Sequence, residues 1–155
     1  MIASGWGRTV GTDGSSHPNI LQEITLNVVD DIECTRAFLD FKMYKQICSR
    51  ANPGQQICYG DSGAPIVWAS SNNQFYIAGV NAAVGTNCVG QLSVQTKITD
   101  FLDWIKHQTG NHLSKKKHSN KVFGHFYALQ ISTKHILKYL TIFQKSFQRS
   151  GRSKM

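Results

Sequence analysis

The sequence predicts an all-β fold, an antiparallel barrel followed by a closing helix. Segments rich in Val, Ile, Phe and Tyr recur between turns rich in Gly, Asn, Ser and Pro over residues 20–98. Several of these segments alternate apolar with polar residues, which is typical of antiparallel strands. Residues 99–110 follow a helical pattern instead and end at a glycine. A length of 155 residues suits one domain.

The first part of the barrel is predicted to hold a loop, a strand and a short helix. Residues 7–19 form a polar loop dense in Gly, Ser, Asp, Asn and Pro. Residues 20–29 are long, rich in β-branched side chains and largely alternating, so they predict a strand. Residues 30–41 begin with Asp30 and Asp31, which are suitable N-caps, and predict a short helix.

The second part is predicted to hold four more strands, which lie within residues 45–63, 64–70, 74–84 and 92–98. The sequence Ser-Asn-Asn joins the second and third of them as a hairpin turn. Thr99 is expected to cap the helix of residues 99–110, where apolar residues recur at helical spacing.

Charge divides the chain into two parts. The whole chain has 17 Lys and Arg against 9 Asp and Glu. All nine acids and seven of the bases lie in residues 1–110, whereas residues 111–155 hold ten bases and no acid. This predicts a globular domain over 1–110 and a basic tail over 111–155. The basic balance therefore belongs to the tail, and we predict no specific nucleic-acid partner.

The tail has two predicted parts. Residues 111–121 form a solvated basic linker, and residues 129–149 place Ile136, Leu140 and Phe143 on one stripe of an amphipathic helix. Because a basic amphipathic helix can lie on an anionic membrane or bind polyanions, the tail over residues 112–149 would bind a polyanion or an anionic membrane surface. Two alternatives stay open, namely packing of this helix on the domain and a tail without a selected role.

The cysteine pattern favours disulfides over metal binding. Four cysteines are separated by 14, 10 and 30 residues, and no pair has zinc-ligand spacing: Cys34, Cys48, Cys58 and Cys88. Two disulfides are favoured, with three connectivities, while four buried free thiols are the alternative. We predict no metal and no cofactor. Disulfides imply secretion, yet the first residues lack a signal peptide. The chain is therefore cytosolic, or Met1 is not the start of the natural secreted protein.

The run Gly60-Asp61-Ser62-Gly63 has two interpretations. One is an ordinary turn, because glycine, aspartate and serine are all common turn residues. The other is a nucleophile loop, in which the glycines keep side chains away from Ser62. The N–H groups of Gly60 and Ser62 would then point at a developing oxyanion.

Three separated motifs decide between these interpretations. They are SGWGRT at residues 4–9, CYGDSGAPIV at 58–67 and ITDFLDWI at 98–105. In this order and at this spacing, they resemble the second half of a trypsin/chymotrypsin-like serine protease, over about residues 2–108. The resemblance implies a six-stranded antiparallel barrel of Greek-key type with a C-terminal helix, the second of that family's two barrels.

The resemblance also implies roles for individual residues. Ser62 matches the nucleophile, and the N–H groups of Gly60 and Ser62 match the oxyanion hole. Asp61 matches the acid that pairs with a freed N-terminus on activation. Cys34 would pair with Cys48, and Cys58 with Cys88.

Five positions match the specificity pocket of that family: Gln56, Ala82, Ala83, Val84 and Ser93. Gln56 stands at the pocket base, where an acid would select Lys or Arg, and Val84 replaces a glycine on the pocket wall. A complete enzyme with these residues is expected to cleave after small or medium apolar residues and not after Lys or Arg.

The family's histidine base and orienting aspartate lie in the barrel that this chain lacks. No histidine here replaces the base by motif, since His17 lies in the polar loop and His107 at the end of the last helix. The first hypothesis is therefore a secreted serine endopeptidase, represented by a truncated domain whose partners are a polypeptide substrate and the missing barrel. The second is a non-catalytic homologue that acts as a binding or cofactor module. On either hypothesis, half of a two-barrel molecule is expected to be marginally stable.

Overall fold

A computed structural model describes residues 1–71, 74–88, 92–109, 114–120 and 124–130 of the chain. Among these residues, eight strands, two α-helices and one 3₁₀ turn follow one another in a single sheet-based fold. The strands are β1 Ile2–Gly5, β2 Gln22–Val28, β3 Gln46–Ala51, β4 Pro65–Ala69, β5 Phe75–Val84, β6 Leu92–Lys97, β7 Ser114–Asn120 and β8 Gly124–Gln130. The helices are α1 Asp31–Ala37 and α2 Leu102–Thr109, and the 3₁₀ turn is Ile98–Phe101.

Strands β1 to β6 close into an antiparallel barrel. Their order around the barrel is β4-β1-β2-β3-β6-β5, and β5 pairs in turn with β4. The pairing of β3 with β6 passes over β4 and β5, which is a Greek-key connection. The predicted six-stranded barrel with a terminal helix is confirmed. Closure leaves the six strands without a free edge among themselves.

Helix α1 is stabilised at its N-terminus by a capping side chain. The Asp30 side chain accepts a hydrogen bond of 2.8 Å from the Ile32 N–H, which satisfies one free donor of the first turn. Asp31 and Glu33 place negative charge at the positive end of the helix. The helix ends where the Phe38 N–H bonds to the Cys34 carbonyl. The short helix predicted within residues 30–41 is present with narrower bounds.

The start of the last helix differs from the prediction. Thr99 lies inside the 3₁₀ turn and is not its cap, since the capping position is Lys97, which makes no side-chain hydrogen bond there. Ile98 and Leu102 are both buried and form one apolar cluster. Packing of these two side chains, four residues apart, sets the start of the helical segment.

The C-terminal region also differs from the prediction. Residues 114–120 were predicted as part of a solvated linker, yet they form β7, which pairs along its length with β8. Strand β8 pairs in turn with β5, where Tyr76 faces Gln130 and Ile77 faces Leu129. The helix predicted over 129–149 begins with two residues of β8, and its residues 131–149 lie outside the described residues.

The barrel core combines apolar side chains with two disulfides. Ala3, Leu26, Ile57 and Ile66 pack together between β1, β2 and β4. A second cluster of buried residues joins one disulfide to β6: Cys34, Cys48, Leu92 and Val94. Among the described residues, no helix is both long enough and apolar enough to cross a membrane.

Candidate active site

The serine loop, residues 58–64, is held between a disulfide and strand β5. Cys58 is bonded to Cys88, and Cys34 to Cys48, so both disulfide pairs implied by the resemblance are present. Gly60 and Gly63 have φ values of +99° and +83°, which glycine adopts at little cost. Two successive turn bonds, from Asp61 N–H to the Cys58 carbonyl and from Ala64 N–H to the Asp61 carbonyl, fold the loop tightly around Ser62.

The main-chain amides of the serine loop fall into two groups. The N–H groups of Asp61, Gly63 and Ala64 all donate to carbonyl oxygens at 2.9–3.1 Å. The N–H groups of Gly60 and Ser62, and the Ser62 hydroxyl, have no hydrogen-bond partner among the described residues. Two free main-chain donors beside a free hydroxyl are what a site for a developing oxyanion requires.

Asp61 lies between two motifs that are far apart in sequence. One carboxylate oxygen accepts from the Gly7 N–H at 2.7 Å, and the other accepts from the Cys58 N–H at 3.0 Å. A Cβ atom at Gly5 or Gly7 would collide with this carboxylate, so the glycines of the SGWG segment are needed for the contact. Burial raises the pKa of Asp61, while the two hydrogen bonds and the charge of His17 act in the opposite direction.

The amine of Met1 does not reach Asp61. It donates to the Leu26 carbonyl at 2.8 Å, and burial lowers its pKa. Among the described residues, Arg50 forms an ion pair with Glu33, and no cationic side chain forms one with Asp61. The Asp61 carboxylate is therefore partly buried and forms no ion pair in that part of the chain.

Neither His17 nor His107 is placed to act as a base for Ser62. His17 lies against Gly60, and its Nδ1 is 3.0 Å from the Trp6 carbonyl. Because a carbonyl only accepts, Nδ1 carries the proton in this bond. His107 lies on α2 with its Nδ1 close to the Gln108 amide. Neither ring is hydrogen-bonded to Ser62, in agreement with the motif analysis.

The predicted specificity residues fall on both sides of the barrel wall. Ala82 and Ala83 are exposed on β5, where the ladder to β6 shifts register between Asn81 and Ala83. Val84 is the cross-strand partner of Ser93, so these two predicted residues are adjacent. Gln56 lies in the 52–57 loop, where its side-chain amide is 3.5 Å from the Thr9 carbonyl.

Ser93 has a different environment from the other predicted pocket residues. It is buried and bonded within the barrel to Ser49 at 3.0 Å and to the Gln95 amide at 2.9 Å. The Ser49 hydroxyl donates in turn to the side-chain oxygen Oε1 of Gln95 at 2.9 Å. The hydroxyl of Ser93 is therefore engaged in an internal polar cluster.

A cavity of about 240 Å³, half open to solvent, lies behind the serine loop, between that loop and strands β1 and β2. Asp61, Asn81 and Gln56 line it, as do Gly7 and Arg8. Two buried polar atoms of these residues, Asn81 Oδ1 and Arg8 Nε, have no hydrogen-bond partner in the described part of the chain. Asn81 is not among the residues predicted from the sequence, although a polar residue in the apolar run of residues 75–84 is a recognisable signal.

The described residues contain no candidate metal site. No group of three or more His, Cys, Asp and Glu side chains among those residues is placed to hold a metal ion.

A single Greek-key barrel with a disulfide-anchored Gly-Asp-Ser-Gly loop defines a barrel of the serine-protease class. Comparison with known families agrees, because the Trypsin family model matches residues 1–105. The chain belongs to the trypsin family.

The region of this chain that matches curated relatives corresponds to only part of each of those longer proteins. Serine protease 1 of Drosophila melanogaster is 34% identical over 110 residues, which are 70% of this chain and 39% of the relative. Trypsin-1 of Astacus astacus is 33% identical over 110 residues, covering 68% of this chain and 45% of the relative. Trypsin I-P38 of Gallus gallus is 32% identical over 106 residues. The chain thus spans less than half the length of these relatives.

Proposed function

We propose that this chain is the nucleophile-bearing barrel of a serine endopeptidase. The observation that carries the proposal is the pair of unpartnered N–H groups, of Gly60 and Ser62, beside the unpartnered Ser62 hydroxyl. Both donors are open to an incoming acceptor, since Gly60 is exposed and Ser62 is half-buried, and a peptide carbonyl oxygen within reach would satisfy both.

The chemistry follows the serine-protease mechanism. The Ser62 oxygen bonds to the carbonyl carbon of the scissile peptide while its proton passes to a histidine of the complementary barrel. The carbonyl oxygen takes the negative charge and accepts from the Gly60 and Ser62 N–H groups. The C–N bond then breaks, and the amine leaves with that proton. Water finally attacks the ester carbon, releases the acid and restores the hydroxyl.

Two partners follow from this mechanism. One is the polypeptide substrate, and the other is a barrel that supplies the histidine base and its aspartate, because serine alone is a weak nucleophile. Without that barrel we expect the chain to be inactive. The two disulfides favour a secreted natural protein.

Asp61 has a supporting role in the proposal. Its partly buried carboxylate, which forms no ion pair within the described residues, is the acceptor for an ammonium group freed at a chain N-terminus. Such an ion pair would stabilise the serine loop from behind, where the Gly7 and Cys58 N–H groups already bind the carboxylate.

The preferred residue before the cleaved bond is small or medium and apolar. Gln56 brings no negative charge to attract Lys or Arg, and Val84 places a larger side chain where the family that the sequence resembles has a glycine. A peptide library cleaved by the complete enzyme tests this preference. Cleavage after Arg would refute it.

A fluorophosphonate probe tests the serine chemistry. We expect labelling of the protein that carries the histidine-containing barrel, no labelling of its Ser62→Ala variant, and none of the 155-residue chain alone. Absence of labelling in the complete protein would refute the enzyme proposal.

That negative result would favour a second candidate, a non-catalytic homologue that binds partners. Ala64, Ala82 and Ala83 favour this candidate, since they replace residues that support the substrate and the triad in the family that the sequence resembles.

The basic tail carries a separate proposal, binding of a polyanion or an anionic membrane through residues 112–149. Heparin affinity of the full chain should fall steeply with salt. A chain ending at residue 110 that keeps all of this affinity would refute it.

A further inference from the structure

Asn81 is a buried polar residue whose hydrogen bonds go to the serine loop. Its side chain is 3% exposed, within a strand of mostly apolar residues. Its carbonyl accepts from the Gly63 N–H at 2.9 Å, and its N–H donates to the Ala64 carbonyl at 2.8 Å. Its side-chain Nδ2 donates to the Asp61 carbonyl at 3.2 Å. Asn81 therefore holds three residues of the serine loop, Asp61, Gly63 and Ala64, on the two sides of Ser62.

The remaining atom of this side chain, Oδ1, has no partner. The orientation of the amide is fixed, because the Asp61 carbonyl only accepts and so must face the NH₂ group. Oδ1 is buried without a hydrogen-bond donor among the described residues. An unsatisfied buried carbonyl is costly, and Asn81 lines the cavity behind the serine loop. A donor inside that cavity would satisfy it.

The charge of the cavity indicates what kind of donor fits. Its charged lining groups are Asp61, Glu23 and Arg8, so the lining carries one net negative charge when all three are ionised. The Arg8 guanidinium is positioned over the Tyr59 ring, 5.4 Å from its centre. Each Asp61 oxygen accepts one main-chain N–H and retains a lone pair. The volume of about 240 Å³ is well above the roughly 10–15 Å³ that a single water needs by the same measure.

We propose that Asn81 is a positioning residue whose Oδ1 is the second acceptor, beside the Asp61 carboxylate, for a primary ammonium group in this cavity. The inference rests on the ion pair of Asp61 proposed above and adds a residue to it. A primary ammonium has three N–H donors, so it can serve the carboxylate and the amide oxygen together. Because the same amide binds the Asp61 carbonyl, filling the cavity would also order the loop around Ser62.

Methylammonium chloride is the probe that tests this proposal on the full 155-residue chain. Backbone and side-chain ¹H–¹⁵N spectra are recorded during titration, with tetramethylammonium chloride at equal ionic strength as the control that has no N–H donor. We expect saturable shifts of the Gly7 and Gly63 amides and of the Asn81 NH₂ group with methylammonium alone. Equal shifts with both salts, or none, would mean that the cavity holds only water and would overturn the inference.

Variants separate this inference from the proposed function. Asn81→Leu keeps the size of the side chain and is expected to weaken methylammonium binding by roughly ten- to a hundredfold, the range for hydrogen bonds to charged groups. Gln95→Met, which alters a buried amide outside the cavity, should bind like the wild type. Asp61→Asn should abolish binding.

The pattern across these variants is diagnostic. If Asn81→Leu binds normally and Asp61→Asn does not bind, the role of Asn81 is refuted while the ion pair of Asp61 stands. If both variants bind normally, both ideas fail. Should Asn81→Leu fail to fold, the wild-type shift of the Asn81 NH₂ group decides alone, and its absence during saturable binding refutes the role.

Discussion

Replacing Gly7 by Ala should be one of the most damaging single-methyl changes in this chain. A Cβ atom at Gly7 would lie 2.5 Å from both carboxylate oxygens of Asp61. The carboxylate must therefore move, and it loses its 2.7 Å bond from the Gly7 N–H. A charge-assisted hydrogen bond contributes about 1.5–3 kcal/mol, and overpacking costs about 1–3 kcal/mol. The free energy of unfolding should fall by about 3–5 kcal/mol.

Urea unfolding of the full chain, followed by tryptophan fluorescence, measures this loss. Gly14→Ala is the matched control, because its new methyl group would meet only the flexible end of Arg8, at 3.4 Å. We expect that control to stay within about 0.5 kcal/mol of the wild type. Equal midpoints for the two variants would show that Asp61 is not packed against the SGWG segment, and the account of the serine loop would fall with it.

Three further outcomes are expected. Cys58→Ser removes the disulfide to Cys88, which closes a loop of 30 residues. In the chain-entropy model this should lower the unfolding free energy by about 4 kcal/mol. A calorimetric loss of less than about 1 kcal/mol would contradict that model here. Burial raises the pKa of Asp61, so the folded state binds more protons than the unfolded state, and stability should fall as pH rises from about 4 through that raised pKa. Urea midpoints across this range should flatten in Asp61→Asn, and an unchanged slope would refute the assignment. Ser49→Ala removes the donor to the fully buried Gln95 carbonyl oxygen and should cost about 1–3 kcal/mol in urea unfolding, whereas a neutral result would show that the polar cluster is not formed.

The strands that the sequence predicted are those whose pattern is local. Residues 74–84 and 92–98 carry enough β-branched and aromatic side chains to identify β5 and β6 without any knowledge of their partners. Strand β1 was not assigned, because four residues of sequence Ile-Ala-Ser-Gly are too short to show alternation. Its strand conformation depends on pairing with β2 and β4.

The candidate site also has a part that the sequence predicts and a part that it does not. The resemblance supplied both disulfide pairs and the serine loop, because three motifs kept their order and spacing. The contribution of Asn81 was not predictable, since its hydrogen bond to Asp61 joins residues 20 apart in sequence. The start of the last helix was predicted wrongly because a hydroxyl cap at Thr99 competes with burial of Ile98, and burial sets the observed geometry.

All four half-cystines are at most 1% exposed. Exchange begins when a thiolate attacks one sulfur of the bridge along the S–S axis, and a sulfur enclosed by protein offers no such approach. Glutathione or thioredoxin would therefore reach these sulfurs only after the barrel opens locally or unfolds. The rate at which the folded chain changes its oxidation state in a new compartment is then set by that opening and not by the reductant alone.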